Sequence, residues 1–136
     1  MFEVIHEFAV LGTACFMMAL AVVWYSPMLF GNLWMKELGI TEEILEKKKP
    51  DMWKHMILTF ISYTVMLGLL AQMVVYAPLL TLSPVEAAGL LVLFIAAGAI
   101  PVSLFEGRSY KYYGIQIGFY ALFIFLGTFI LQYWPW

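Results

Sequence analysis

Four long stretches of this chain carry no charged side chain: 8–35, 56–85, 87–105 and 112–136. Every Lys and Arg lies between them. Lys36, Lys47, Lys48, Lys49 and Lys54 separate the first stretch from the second, and Arg108 and Lys111 separate the third from the fourth. A helix needs roughly 20 apolar residues to cross about 30 Å of hydrocarbon, and each stretch reaches or approaches that length. Period-two alternation is absent, which argues against a transmembrane β-barrel. With 64% hydrophobic and 12% charged residues, the chain has too few charges to coat a water-soluble domain. The expected fold class is an all-α integral membrane protein with four transmembrane helices in two hairpins. We place the spans at about 8–30, 56–76, 84–105 and 112–133, in a single domain over 1–136.

Local signals mark the boundaries. Ser83-Pro84-Val85-Glu86 combines a cap, a proline at the first helical position and an acid placed to close a capping box. Pro78 ends the second span and leaves a tight connection. Gly107 ends the third, and Ser109 caps the fourth. Pro27 and Pro101 each fall shortly before the end of a span and are expected to kink it.

Arg and Lys collect on the cytoplasmic side because translocating them is unfavourable. The expected topology therefore has both basic loops inside and both termini outside. Met1–Glu7 holds two acids and no Lys or Arg, unlike the basic start of a cleaved signal peptide, so the first span is expected to be retained. Trp and Tyr gather near the ends of the spans, as interfacial anchors do. In the loop between spans 1 and 2, Thr41-Glu42-Glu43 reads as a helix start. Glu43 and Lys47 are spaced as a helical ion pair, and Pro50 is a stop. We expect a short interfacial helix there, with Lys47, Lys48 and Lys49 placed to attract anionic lipids at roughly 1 kcal/mol per charge.

Lipid supplies no hydrophobic push between helices, so small residues and polar contacts must hold the spans together. Gly12, Cys15 and Ala19 form one such stripe, Gly98 sits in a small-residue run of the third span, and Gly114 and Gly118 form a GxxxG pair in the fourth. These faces are helix-packing candidates either within one chain or between chains. Cys15 itself reads as a small buried hydrophobe. Four spans of this length bury little alone, so a homo-oligomer, a dimer first, is expected.

No catalytic, metal or cofactor motif is present. His6 and His55 fall on opposite sides by the expected topology and cannot share a metal, and the lone Cys15 makes no metal set. No basic stripe points to nucleic acid. Mid-span acids and bases are absent, which disfavours an ion-coupled pump. The polar mid-span residues Thr59, Ser62, Gln72 and Gln116 are candidates for a narrow polar route. The richest polar set collects at the basic-loop ends of the spans: Trp24, Tyr25, Trp34, His55, Glu106, Arg108 and Gln116. Those residues are the candidate binding site.

Two stretches carry a resemblance. Trp24-Tyr25-Ser26-Pro27-Met28-Leu29-Phe30-Gly31 with Trp34-Met35-Lys36-Glu37-Leu38-Gly39 resembles the opening signature of a family of small prokaryotic membrane proteins, domain of unknown function 1761. Leu104-Phe105-Glu106-Gly107-Arg108-Ser109 with Lys111, then an apolar span ending in Trp134-Pro135, resembles its closing signature. The resemblance implies four spans in a prokaryotic inner membrane, and no activity. The expected function is a non-enzymatic channel, transport or ligand-binding unit with a polar cytoplasmic-face site. The alternatives are an accessory subunit packed on another membrane protein and, third, a lipid-modifying enzyme using His55 or Glu106.

Overall fold

A computed structural model describes residues 7–134; His6, Pro135 and Trp136 lie outside the described residues. Six α-helices follow in order: α1 (Glu7–Trp24), α2 (Gly31–Leu38), α3 (Glu42–Lys48), α4 (Met52–Tyr76), α5 (Pro84–Phe105) and α6 (Tyr110–Gln132). Short 3₁₀ turns at Lys49–Asp51 and Ala77–Leu80 flank α4. Among the described residues there is no strand, and α1, α4, α5 and α6 are long and apolar enough to cross a membrane. The all-α, four-span class is as expected.

The boundaries follow the local chemistry. The Ser83 side chain accepts from the Glu86 N–H at 3.2 Å, and the Glu86 carboxylate accepts from the Ser83 N–H at 2.8 Å, which closes the capping box. Ser109 caps α6 by accepting from the Tyr112 N–H at 3.1 Å. Gly107 stands in the left-handed region at φ 67°, and the Arg108 N–H returns to the Ser103 carbonyl. Together they end α5 as the sequence suggested. In α3, Thr41 caps through the Ile44 N–H, and Lys47 lies 3.6 Å from Glu43.

Three features depart from expectation. The first helix stops at Trp24 rather than near Phe30, because Pro27 disfavours helix at the residue before it and Ser26 takes the Val23 carbonyl at 2.6 Å. Pro27 therefore lies beyond the helix and kinks nothing. Pro101, by contrast, sits inside α5, which runs on to Phe105 as expected. The second helix, Gly31–Leu38, was not anticipated. It has no side-chain N-cap, but Gly39 closes it at φ 67°.

The core runs along α1, α4 and α6. Ala9, Thr13, Ala14 and Met17 of α1 meet Leu67, Leu70 and Ala71 of α4, and Phe119, Phe123, Ile124 and Leu131 of α6. Gly127 leaves room for side chains of α4: a Cβ there would stand 2.8 Å from Leu70 Cδ2 and 3.1 Å from Leu67 Cδ2. The outer apolar side chains form the surface a bilayer covers.

Candidate functional site

The turn after α1 builds the site. Its backbone folds tightly: Phe30 N–H reaches the Trp24 carbonyl at 3.1 Å, and Gly31 N–H reaches the Ser26 carbonyl at 2.9 Å. Gly31 is required there, because a Cβ would overlap the Tyr25 carbonyl oxygen and stand 2.6 Å from the Ser26 carbonyl carbon. The turn throws Trp24 and Tyr25 onto α6. Trp24 donates its indole N–H to the Ile115 carbonyl at 3.3 Å, and Phe30 packs on its ring at 4.6 Å. Gly118 leaves room for that indole, lying 3.2 Å from it by its Cβ direction. The glycine pair thus admits an aromatic ring at Gly118 rather than a second backbone, while Gly114 is exposed.

Gln116 is the hub. Tyr25 donates its hydroxyl to Gln116 Oε1 at 3.0 Å, and Gln116 Nε2 donates to the Tyr112 hydroxyl at 2.9 Å. Trp34 of α2 meets the Tyr25 ring edge-on at 5.2 Å, and its buried indole N–H has no hydrogen-bond partner among the described residues. Tyr113 anchors α6 to α5 by donating to the Ala96 carbonyl at 2.6 Å.

Clefts open on both sides of Gln116. One, about 390 Å³, is lined by Tyr25, Leu58, Thr59, Ser62, Tyr63, Gln116, Phe119 and Tyr120. The other, about 320 Å³, lies between α5 and α6 and takes in Ser103, Glu106, Tyr112, Tyr113, Gln116 and Tyr120. At its mouth Glu106 Oε2 lies 3.5 Å from Arg108 Nε, and the Arg108 guanidinium sits over the Tyr112 ring at 5.3 Å. The pair is exposed, so its contribution to stability is small. Beneath the first cleft the bundle is filled by Met17, Leu67, Phe123 and Ile124.

Of the candidate binding residues, Trp24, Tyr25, Trp34 and Gln116 come together directly, and Glu106 and Arg108 join them across the second cleft. His55 does not: it is exposed near the start of α4, and its carbonyl accepts from Thr59. Gln72 does not line the first cleft, so it extends no polar route from Thr59 and Ser62. Tyr63, Tyr112 and Tyr120 also line these clefts, and the sequence reading did not place them in the candidate binding set. Helical spacing from Thr59 to Tyr63, and from Gln116 to Tyr112 and Tyr120, was the available signal. Among the packing candidates, Gly12, Cys15, Ala19, Gly98 and Gly114 are exposed on this chain. Cys15 is therefore not buried within the bundle. Among the described residues, no group of His, Cys, Asp and Glu is arranged to hold a metal.

The family model described as a protein of unknown function, DUF1761, matches residues 8–132, and the chain belongs to that family. No curated protein matches the chain, and no solved structure does. The match takes in the opening stretch and residues 104–109, whose side chains and backbone build the turn around Gly31 and the Glu106–Arg108 pair, and stops short of Trp134-Pro135.

Proposed function

We propose that this chain is a ligand-binding membrane protein whose working site is the polar end of the bundle around Gln116, facing the cytoplasm with the basic loops. A single observation carries this reading. Thr59 and Ser62 of α4 and Gln116 of α6 converge with three tyrosines on one cleft, and the layer below is sealed by apolar side chains. A conducting route through one chain would need that polar lining to continue, whereas a binding site needs it to stop. Concave sites with few convergent polar groups in apolar walls are the usual form of small-ligand pockets. The hydroxyls and amide supply neutral donors and acceptors, which orient a ligand without placing a charge in the bilayer.

The test is native mass spectrometry on the protein extracted from its own membrane into mild detergent. The expected result is a retained species of defined mass that is lost on Gln116→Leu. A bare wild-type chain, or solute flux through reconstituted vesicles that survives Gln116→Leu, overturns the reading. Self-association belongs to the same proposal: the Gly12, Cys15 and Ala19 stripe lies outside the bundle, where a second copy reaches it. The same spectra report the mass of any dimer.

A further inference from the structure

The second cleft has an apolar neighbour. A trough of about 350 Å³ lies between α4 and α5, floored by Phe123 and Ile124, and Ile95 lines it as well as the cleft. The walls are single helical stripes. On α5 they run Leu91, Ile95, Ala99, Ser103 and Glu106; on α6 they run Tyr112, Gln116, Tyr120 and Ile124. On α4 the facing side chains are Met66, Leu69, Leu70 and Met73, which line the trough alone. The α5 and α6 stripes are polar toward the basic loops and apolar toward the other end. Such a gradient suits an amphiphile and does not suit a uniformly polar solute.

Length decides which amphiphile. At about 1.5 Å per residue, Leu91 to Glu106 covers roughly 22 Å. One leaflet with its headgroup layer is about 20–22 Å deep. The crevice therefore accommodates a lipid of the leaflet next to the basic loops, with no inversion. The trough lies near the low end of the roughly 300–1,000 Å³ typical of small-ligand sites, which suits one chain and leaves a second in bulk lipid. At the mouth, the Glu106–Arg108 contact uses Oε2 and Nε. The second carboxylate oxygen and the Nη groups stay available, so an acceptor for an ammonium stands beside a donor for a phosphate.

We propose that the crevice between α4 and α5 holds one acyl chain of a zwitterionic aminophospholipid, its ammonium on Glu106 and its phosphate on Arg108. This proposal rests on the binding reading above and names the ligand class for that site.

The test measures lipid retention by native mass spectrometry. The full-length protein is exchanged into mild detergent with equal amounts of palmitoyl-oleoyl phosphatidylethanolamine and phosphatidylglycerol. The expected preference is about fivefold for phosphatidylethanolamine, the size that one charge at a membrane surface confers. Glu106→Gln, at an exposed position, removes the preference. Leu91→Trp fills the trough and lowers retention about fivefold, whereas Leu104→Trp, outside the crevice, leaves it unchanged. On the wild type, single-chain lysophosphatidylethanolamine displaces the diacyl lipid, which tests the chain seat even where Leu91→Trp does not fold. Equal retention of both lipids, indifference to Leu91→Trp, or failure of the lyso lipid to compete overturns the proposal. A retained non-lipid species that depends on Gln116 overturns it too, while leaving the binding reading intact.

Discussion

α5 and α6 are nearly equal in length, 22 and 23 residues, yet they are buried very differently. In α6, Ile115, Phe119, Phe123, Ile124, Gly127, Thr128 and Leu131 are buried, while in α5 only Ala88 is. Both are strongly apolar, so hydrophobicity does not separate them. What separates them is shape and polar contact. α6 offers Gly127 for α4 to approach and Gln116 for Tyr25 to hold. α5 is tied to α6 by Tyr113 on the Ala96 carbonyl, and it stands away from α4 across the trough. In lipid the apolar surface of a helix is already solvated, so its position depends on fit.

The largest expected effect comes from paired truncations. Phe123→Ala should cost about 3–5 kcal/mol by opening a cavity in the core. Phe94→Ala, on the exposed side of α5, should stay within about 0.5 kcal/mol. Unfolding in mixed micelles checks both, and equal losses would erase the contrast between the helices. Next comes bulk. Gly127→Leu drives a side chain into Leu70 and Leu67 and should cost about 1–3 kcal/mol, whereas Gly98→Leu, with no atom near its Cβ direction, should cost far less in the same assay.

A smaller effect has the opposite sign. The Thr128 hydroxyl is buried without a hydrogen-bond partner among the described residues. Thr128→Val should therefore raise stability by about 1 kcal/mol, as relief of an unsatisfied polar group does. A fall would mean that the hydroxyl has a partner. The smallest is Tyr25→Phe, which removes the donor to Gln116 Oε1. Side-chain hydrogen bonds between membrane helices average about 0.6 kcal/mol, and a loss of that order is expected in the unfolding assay. A loss several times larger would make the Tyr25–Gln116–Tyr112 chain a cooperative unit.

The site was legible in part, and the reasons are physical. Tyr25, Trp34, Glu106 and Gln116 stood out because polar and amphipathic groups are costly in hydrocarbon and so draw notice wherever they occur. Tyr63 and Tyr120 did not, since a tyrosine in an apolar run also serves as packing. His55 drew notice as a polar residue on the face of Thr59 and Ser62, but the whole start of α4 through Leu58 is exposed, and how far a helix end stands clear of its bundle is not written in local sequence. The stripe Gly12, Cys15 and Ala19 looked like a contact face, yet within the chain the neighbouring stripe Ala9, Thr13 and Met17 packs inward. α2 escaped notice because it begins without a side-chain cap, so no local signal marks its start.

The order of residues alone determined that four long apolar helices form and roughly where they begin and end. Hydrocarbon admits only long runs without charge, and caps and prolines act within a turn or two of their own position. Which face of each helix turns inward was settled only by tertiary structure. So was the close meeting of α4 and α6 at Gly127, and so was the open crevice between α4 and α5. These outcomes depend on complementary shapes between residues far apart in the chain, and in an apolar solvent nothing short of that fit distinguishes one greasy face from another.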